Sequence, residues 1–419
     1  MARPRRGRKH VIAMVGLPAR GKTFTARKLA GYLSWLGYPT RVFNVGERRR
    51  TQLGPGQSHE FFDPNNKDAV AQRRALASDV LDEAFAYLRG EGRVAIYDAT
   101  NTTRGQRDAI RARVAAEDRD LLFVELINNE PEVIETNLRE AKLGSPDYAK
   151  ASETQALADF RARIAHYASV YEPLDADEGS FVRHVDRGRE VVIHEVYGYV
   201  QGRIVFFLTN LQVTKRQVWI TRHGESEWNV LGRIGGDSPL SPRGREYAAS
   251  LAAHVREHFG AASDLDVWTS TLRRTHETAA TLGIEIGEWR ALDEIQAGEC
   301  DGMTYQEIET SLPADFEARK RDKLAFRYPR GESYQDVIQR LDRVIIELER
   351  YRTPVLVIAH RAVLRALYAY FQQLPRADVP HLGMPLHTVI KLTPTAYSCL
   401  EERTRLAPQV RGIETGDLP

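Results

Sequence analysis

The chain has 419 residues, of which 42% are hydrophobic and 28% are charged, and its formal net charge is +2. This composition excludes a disordered or fibrous chain, and the near-neutral charge gives no sign of a nucleic-acid-binding surface. The length exceeds that of one ordinary hydrophobic core, so we expect two domains of about 200 residues each.

The sequence also predicts a soluble protein of the cytoplasm. The basic segment 3–9 leads straight into a short strand, and not into the long apolar region of a secretory signal. No apolar stretch approaches the roughly 20 residues that a membrane span needs. Cys300 and Cys399 are far apart and lack metal-ligand spacing, which suits a reducing compartment.

A glycine-rich segment near the N-terminus predicts a phosphate-binding loop. An apolar run at 10–15 precedes it, a helical pattern over 24–36 follows it, and its sequence is Gly-Leu-Pro-Ala-Arg-Gly-Lys-Thr at 16–23. Strand, glycine loop and helix are the context of a P-loop, whose backbone N–H groups point at phosphate oxygens. Lys22 would reach the β- and γ-phosphates of a nucleotide, and Thr23 would offer a hydroxyl to Mg²⁺. A chance glycine-rich turn is the alternative, which the flanking elements disfavour.

The next segments alternate between strand and helix patterns, as in a doubly wound α/β sheet. Strands are predicted at 40–44, 94–97 and 121–127, and helices at 67–89, 131–142 and 153–171. Asp98 follows a strand, where it could hold Mg²⁺ or accept the proton of an attacking hydroxyl. It could equally cap the segment before Thr100. Arg163 and Tyr167 share one helix face, which is either a sugar-phosphate site or a solvated surface.

A long motif at the start of the second half predicts phosphoryl chemistry. Between 175 and 210 the pattern changes to short strands and a mixed apolar and polar segment at 197–208, which marks a domain boundary near residue 213, and a strand is predicted at 216–220. Thr-Arg-His-Gly-Glu-Ser-Glu-Trp-Asn follows at 221–229, which places His223 at the carboxyl end of a strand. A neutral imidazole nitrogen there can attack phosphorus, while Arg222 binds phosphate oxygens and Gly224 admits them to the backbone.

Further candidate residues for the site of His223 lie later in the chain. Ser241 is predicted to cap a helix that begins at Pro242. The segment 268–275 ends a strand and begins a helix, which brings Arg273 or Arg274 to the phosphate pocket. A buried strand at 355–359 ends at His360, and two strand-end histidines can flank one phosphorus. Glu294 lies in a loop, as an acid of the site or as a solvated carboxylate.

These motifs resemble known families. The Arg-His-Gly-Glu motif with the later Arg-Arg-Thr, carboxylate and second histidine resembles the histidine phosphatase superfamily. From about residue 10 to 395, the chain resembles the 6-phosphofructo-2-kinase/fructose-2,6-bisphosphatase family, on the segments 16–23, 41–46, 98–103 and 142–148 and the histidine motif. The resemblance implies a P-loop NTPase-like kinase domain at 1–212 and a phosphoglycerate mutase-like histidine phosphatase α/β domain at 213–419.

The resemblance implies that the first domain makes fructose 2,6-bisphosphate from fructose 6-phosphate and ATP with Mg²⁺. Lys22 and Asp98 would be catalytic, and Thr23 and Asp98 would hold the metal. ATP would contact Gly16, Gly21, Lys22, Thr23, Phe24, Asn137 and Lys142. Fructose 6-phosphate would contact Arg49, Arg73, Thr100, Lys142, Arg163 and Tyr167.

The resemblance also implies that the second domain hydrolyses the bisphosphate through a phosphohistidine on His223. Glu294 would act as acid and then as base, and the transferring group would be stabilised by Arg222, His360 and Arg274, which the resemblance selects over Arg273. The bisphosphate would contact Arg222, Asn229, Gly235, Tyr305, Arg319, Lys323, Tyr334, Arg361 and Arg365.

Three positions depart from the family's pattern. Asn128 stands where the family usually has a cysteine lining the kinase site. Gln106 stands where it has a sugar-phosphate arginine, so fructose 6-phosphate should bind more weakly unless Arg104 or Arg107 substitutes. Arg361 stands where it usually has glutamine, and we expect this arginine to point into the phosphatase pocket.

Two other interpretations stay open at this stage. The chain could be predominantly a fructose-2,6-bisphosphatase with a weakened or sensor-like kinase domain, which Gln106 allows. It could also be a nucleic-acid end-healing kinase-phosphatase, but the sequence shows no basic, aromatic-studded groove. We expect sugar phosphates as partners, and neither nucleic acid nor membrane. The oligomeric state is open, with a homodimer as one candidate.

Overall fold

The computed structural model describes residues 8–144, 146–148, 152–212, 216–260, 264–395 and 398–406. The chain divides into two compact units, Met1–Thr209 and Asn210–Pro419. Within the described ranges, none of the helices has the length and apolar character needed to cross a membrane.

The first unit alternates strands and helices, as predicted. Its strands are β1 (His10–Val15), β2 (Thr40–Asn44), β3 (Val94–Asp98), β4 (Asp120–Ile127), β5 (Phe181–Val185) and β6 (Glu190–His194). Its α-helices are α1 (Lys22–Leu36), α2 (Val45–Leu53), α3 (Lys67–Arg89), α4 (Arg104–Ala116), α5 (Pro131–Gly144), α6 (Glu153–Ala168) and α7 (Tyr199–Asn210). Short 3₁₀ helices lie at His59–Phe62, Pro146–Tyr148, Ala176–Glu178 and Asp186–Gly188.

The strands of this unit form one sheet in the order β2-β3-β1-β4-β5-β6, in which only the β5–β6 pair is antiparallel. Val11, Ala13 and Val15 of the central strand β1 are fully buried in a core that helix α3 also lines. Because β1 to β4 run parallel, the residues that follow them lie at one edge of the sheet. This edge carries the glycine loop after β1 and Asp98 at the end of β3.

The second unit contains the remaining elements. Its strands are β7 (Val218–Arg222), β8 (Asp266–Thr269), β9 (Ile286–Glu288), β10 (Val355–Ala359), β11 (Thr388–Pro394) and β12 (Cys399–Arg405). Its α-helices are α8 (Glu227–Val230), α9 (Pro242–Phe259), α10 (Arg273–Ala279), α11 (Tyr305–Ser311), α12 (Pro313–Arg321), α13 (Tyr334–Arg350) and α14 (Arg361–Gln372). Short 3₁₀ helices lie at Ala280–Leu282, Arg290–Leu292, Gly298–Cys300 and Arg376–His381.

These strands form a second sheet in the order β12-β11-β7-β10-β8-β9. β7, β10, β8 and β9 are parallel, whereas β11 pairs antiparallel with both β7 and β12. The residues after β7, β8 and β10 are His223, Ser270 and His360, so the parallel order places all three at the same edge.

Most predicted strands match observed ones to within one residue, two other boundaries were wrong, and one segment without an assignment is a helix. The strand predicted at 216–220 is Val218–Arg222, because its pairing with β10 continues to Arg222 opposite Ala359. The helix predicted to reach residue 171 ends at Ala168, after which the backbone N–H of Glu172 donates to Thr102 O. The segment 199–210, which had no clear assignment, is a helix.

Candidate active sites

The glycine loop connects β1 to α1 in the first unit. Gly16 has a φ of +132°, and a Cβ there would lie 2.5 Å from Leu126 O, so only glycine fits this close approach. The Gly16 N–H donates to Thr100 O at 2.9 Å, which joins the loop to the segment after β3. Lys22 is buried, and its Nζ donates to Leu17 O at 2.6 Å. Burial lowers the pKa of Lys22 to about 8.

Asp98 at the end of β3 faces the first turn of α1. Its Oδ2 accepts hydrogen bonds from Thr23 Oγ1 at 2.7 Å and from Asn44 Nδ2. Burial raises the pKa of this carboxyl, and the Thr23 hydrogen bond opposes that shift. A buried carboxylate next to the P-loop hydroxyl is the donor set that holds Mg²⁺ in P-loop enzymes, so these residues fit the ion.

The remaining predicted nucleotide contacts lie around this loop. Asn137 of α5 donates its Nδ2–H to Ala19 O at 3.0 Å, which ties α5 to the glycine loop. Phe24 is half-buried in α1. Lys142 belongs to α5, but its side chain lies outside the described part of the chain.

A cluster of cations surrounds Phe62 at the predicted sugar-phosphate site. The guanidinium groups of Arg163 and Arg49 lie 3.7 Å and 5.3 Å from the centre of the Phe62 ring. Arg49 also forms a buried ion pair with Asp147, whose carboxylate lies 3.9 Å from Arg163. Arg49 Nε and Nη1 and Arg163 Nε are buried and have no hydrogen-bond partner among the described residues. Unsatisfied buried donors of this kind are suited to phosphate oxygens.

Arg73 and Tyr167 complete this cluster. Tyr167 packs 6.0 Å from Phe62 between ring centres, and Arg73 donates to Phe61 O. Burial lowers the pKa of Arg73, and the nearby charges of Tyr167 and Arg163 also act on it. The charge of Arg163 acts on Lys22 as well, so these two cations lie within electrostatic range of each other.

The proposed substitutes for the missing sugar-phosphate arginine are occupied elsewhere. Arg107 is fully buried and forms a two-pronged ion pair with Glu178, at 2.6 Å and 2.8 Å. Arg104 is paired with Asp177 at the surface. Gln106 is exposed, and its Oε1 accepts from Thr103 N in the capping box of α4. Arg107 therefore cannot take over the role of a lost arginine at 106.

Asn128, which also departs from the family's pattern, has a structural function in the described chain. It is buried, and its Oδ1 accepts from Glu130 N at 2.9 Å. This bond turns the backbone between β4 and α5, at the sheet edge that carries the P-loop.

In the second unit, His223 has a defined tautomer. Its Nδ1 lies 2.7 Å from Gly224 O, and a carbonyl can only accept, so Nδ1 carries the proton. Nε2 therefore carries the lone pair, which accepts a hydrogen bond from Arg274 Nε at 3.1 Å. Burial, followed by the charges of Arg274 and Arg222, lowers the pKa of His223 well below its usual value. His223 is thus neutral at pH 7, as a nitrogen nucleophile must be.

The second strand-end histidine lies beside the first. The ring centres of His360 and His223 are 5.0 Å apart, and His360 Nε2 lies 2.8 Å from Ser270 Oγ. His360 Nδ1 is buried without a hydrogen-bond partner in the described part of the chain. Burial, followed by the charge of Arg274, lowers the pKa of His360 far below its usual value.

Several arginines converge on these histidines. Burial lowers the pKa of Arg222, and the charge of Arg361 is the next largest influence on it. Arg361 is half-buried at the first position of α14 and makes no hydrogen bond or ion pair with another described residue. Its charge acts on Arg222, and its place in the phosphatase pocket stays a prediction.

Glu294 is held by backbone groups. Its Oε1 accepts from Ile295 N at 3.0 Å and from Ala362 N at 3.1 Å, the latter in the first turn of α14. Oε2 has no hydrogen-bond partner among the described residues. Arg340 fixes the loop by donating to Asp293 O at 2.6 Å and to Glu294 O at 3.2 Å. One carboxylate oxygen is thus anchored, and the other is available.

Two Tyr–Arg groups lie at the predicted bisphosphate contacts. Arg319 is buried and donates to Tyr305 OH and Tyr328 OH, both at 3.0 Å. Arg365 donates to Tyr334 OH at 3.0 Å, and the charge of Glu294 acts on Tyr334. Lys323 is half-buried in the segment after α12.

The remaining predicted contacts have local structural partners. Asn229 Oδ1 accepts from Ser226 N at 3.0 Å in the capping box of α8. Gly235 lies in a loop next to Asp301. A Cβ on Gly224 would lie 2.4 Å from Gly244 O, so this glycine is required for packing against α9. That contact gives Gly224 a packing role, and the approach of phosphate to its backbone stays a prediction.

Sequence reasoning missed Ser270, Tyr328, Arg340 and Asp147, which position the predicted residues. Ser270 directly follows the strand pattern that ends at Thr269, so its strand-end hydroxyl was a usable signal. Arg340 and Asp147 act on loops that are distant in sequence, and periodicity carries no signal for such contacts.

Comparisons with known proteins match both halves. The 6-phosphofructo-2-kinase family matches residues 2–215, and branch 1 of the histidine phosphatase superfamily matches residues 218–405. The 6-phosphofructo-2-kinase/fructose-2,6-bisphosphatase of Arabidopsis thaliana is 47% identical over 97% of this chain, which spans 55% of that relative. Enzyme 3 of Rattus norvegicus is 46% identical over 94% of the chain, and enzyme 4 of Macaca fascicularis is 47% identical over 94%; the chain covers 71% and 84% of them.

These matches confirm the predicted fold class and the predicted family. They cover both domains, which supports the bifunctional interpretation over a chain that is predominantly a phosphatase. The chain belongs to the 6-phosphofructo-2-kinase/fructose-2,6-bisphosphatase family, as a bifunctional enzyme with a kinase domain and a histidine phosphatase domain.

Proposed function

We propose that residues 1–212 transfer the γ-phosphoryl group of ATP to the 2-hydroxyl of fructose 6-phosphate, and that residues 213–419 remove it. In the kinase reaction the hydroxyl oxygen attacks the γ-phosphorus, and the bond to the β-phosphate oxygen breaks. Lys22 exchanges Leu17 O for phosphate oxygens and offsets the charge on the β- and γ-phosphates. Asp98 Oδ1 accepts the hydroxyl proton, since Oδ2 is bonded to Thr23 and Asn44.

Thr23 and Asp98 would hold Mg²⁺, which neutralises phosphate charge and orients the transferring group. Arg49, Arg163 and Arg73 hold the 6-phosphate of the sugar, and Tyr167 lines the same site. Thr100 contacts the sugar from the segment after β3, where its carbonyl accepts a hydrogen bond from Gly16 N. The unpartnered donors of Arg49 and Arg163 support this assignment.

In the phosphatase reaction, His223 Nε2 attacks the phosphorus of the 2-phosphate. The bond between this phosphorus and the oxygen on C2 breaks. Glu294 Oε2 gives its proton to the leaving oxygen and then takes one from water. The water oxygen attacks the phosphohistidine, the phosphorus–nitrogen bond breaks, and phosphate leaves. Arg222, Arg274 and His360 stabilise the charge on the transferring group.

The 6-phosphate of the bisphosphate must be held while the 2-phosphate is cleaved. Arg319, Tyr305, Lys323, Tyr334 and Arg365 are suited to this task, because they combine cations with phenolic donors. Asn229 and Gly235 line the loop side of the pocket, and Arg361 contacts the phosphate from the start of α14.

The tautomer of His223 is the observation that carries this proposal, because Nε2 keeps its lone pair beside the guanidinium of Arg274, and the ring centre of His360 lies 5.0 Å from that of His223. Brief incubation with fructose 2,6-bisphosphate labelled at the 2-phosphate should trap an acid-labile, base-stable phosphoprotein. The His223→Ala variant should carry no label. Equal labelling of that variant would place the nucleophile on another residue.

A further inference from the structure

Helix α9 carries three potential metal ligands at its end distant from the catalytic histidine. His254, Glu257 and His258 each offer one ligand atom, and these atoms lie within 4.8 Å of one another. The spacing of three and four residues places them on one helix face. His254 lies about 18 Å along the helix axis from Pro242, where α9 begins beside the His223 loop. The group is therefore separate from the phosphatase site.

His258 is fixed in the tautomer that a metal requires. Its Nδ1 lies 2.9 Å from His254 O, and because a carbonyl only accepts, Nδ1 carries the hydrogen. The neutral ring therefore keeps its lone pair on Nε2. Metal-binding histidines usually have their other ring nitrogen bonded in this way to a carbonyl or carboxylate.

His254 supplies a second, independent observation. Its side chain is 8% exposed, and its Nε2 is buried without a hydrogen-bond partner among the described residues. A buried nitrogen without a partner calls for a specific explanation, and a bound ligand supplies one.

Trp219 holds both rings in place. The centre of its ring lies 5.7 Å from that of His254 and 5.2 Å from that of His258, and the two imidazole centres are 4.2 Å apart. Lys391 lies 5.8 Å from the Trp219 ring, but its charge is paired with Glu402 at 2.8 Å. The last turn of a helix also favours cations, because its carbonyl groups point outwards.

We propose that His254, Glu257 and His258 bind a Zn²⁺ ion, with water at the fourth position. Two imidazoles and one carboxylate form a ligand set that suits Zn²⁺ and similar divalent transition metals. The ion links successive turns at the end of α9 and takes no part in either phosphoryl transfer.

The test is a zinc titration of the full chain against a chromophoric chelator, in buffer without phosphate. His258→Gln removes one ligand at an exposed position, so the number of tightly bound zinc ions per chain should fall by one. The matched control is His276→Gln, because His276 is half-buried and also lies next to a carboxylate, Glu288, at 3.0 Å. This control should bind as much zinc as the unmodified chain.

Equal zinc stoichiometry in His258→Gln and the unmodified chain would overturn the proposal, as would a chain that binds no zinc. Unchanged bisphosphatase activity without metal shows that His258→Gln is folded. Should that variant fail to fold, Glu257→Gln serves instead and should weaken zinc binding about tenfold or more. Trp219 offers a second readout, since Cu²⁺ bound here should quench its fluorescence, and the quenching should disappear in His258→Gln.

Discussion

The two candidate sites differ in how far they are assembled before a ligand binds. In the phosphatase site the reacting groups already contact each other, with Arg274 Nε 3.1 Å from His223 Nε2 and His360 bonded to Ser270. In the kinase site the cations contact the protein's own oxygens, as Lys22 does with Leu17 O. Arg49 similarly pairs with Asp147.

This difference follows from which reacting groups the protein must supply in each reaction. The phosphatase supplies the nucleophile, so the tautomer and position of His223 must be set in advance. The kinase supplies neither reactant, and its catalysis consists of positioning and charge stabilisation. Its cations can therefore rest on protein oxygens and exchange them for phosphate oxygens when substrates bind.

The variant with the largest expected effect tests the phosphatase site, whose reacting groups already contact each other. Glu294→Gln removes the proton carrier but keeps the size of the side chain, so bisphosphatase kcat should fall by about 10²–10⁴-fold. Kinase activity should not change. Glu299→Gln is the control, because Glu299 is exposed and pairs with Arg330. Normal phosphate release by the Glu294 variant would show that another group protonates the leaving oxygen.

The kinase site is tested by Lys22→Met, which removes the cation from the β- and γ-phosphates. Synthesis of fructose 2,6-bisphosphate should fall by about 10²–10³-fold, while hydrolysis persists. Lys67→Met, at the exposed start of α3, should leave both rates unchanged. The P-loop assignment fails if synthesis survives in the Lys22 variant.

A pH series distinguishes the two sites further. Burial lowers the pKa of Lys22 to about 8, so the ligand-free enzyme loses this proton as the pH rises above 8. Because the triphosphate requires the protonated amine, KM for ATP should rise about tenfold between pH 7 and 9. The neutral His223 predicts no comparable change in bisphosphatase activity over this range.

Lys22→Arg provides the control for this series, since an arginine keeps its proton throughout. A KM for ATP that rises equally in this variant would assign the pH dependence to another group. A KM that stays constant from pH 7 to 9 in the unmodified enzyme would contradict the link between Lys22 and ATP binding.

The smallest expected effect concerns Arg361, whose charge acts on Arg222 and which we expect to point into the pocket. Charge-assisted hydrogen bonds are roughly twice as strong as neutral ones, so Arg361→Gln should raise KM for fructose 2,6-bisphosphate about two- to tenfold. Inhibition by inorganic phosphate should weaken, and the kinase should be unaffected. Arg330→Gln is the control, because Arg330 is 85% exposed. Unchanged KM and phosphate inhibition in the Arg361 variant would place its side chain outside the pocket.

The sequence predicted the residues at the carboxyl ends of strands well, because the change from a buried apolar run to a polar residue marks where a strand ends. Asp98 and His360 were placed in this way, and parallel pairing brought each to a functional edge. The start of β7 was misplaced by two residues, since only pairing with β10 determines how far that strand extends.

Tertiary contacts were the part that sequence could not supply. Arg107 was considered for phosphate binding, but its partner Glu178 is distant in sequence and removes it from the site. The contact of Arg49 with Asp147 is equally long-range. The capping role of Gln106 was more accessible, because Thr103 three residues earlier forms a recognisable capping box.

The most direct test of the central claim follows both reactions on one purified preparation of the full chain. With ATP, Mg²⁺ and fructose 6-phosphate it should form fructose 2,6-bisphosphate and ADP. Supplied with fructose 2,6-bisphosphate alone, it should release phosphate from the 2-position only and return fructose 6-phosphate. Failure to form the bisphosphate, or failure to release its 2-phosphate, would contradict the claim that this chain contains two working phosphoryl-transfer sites.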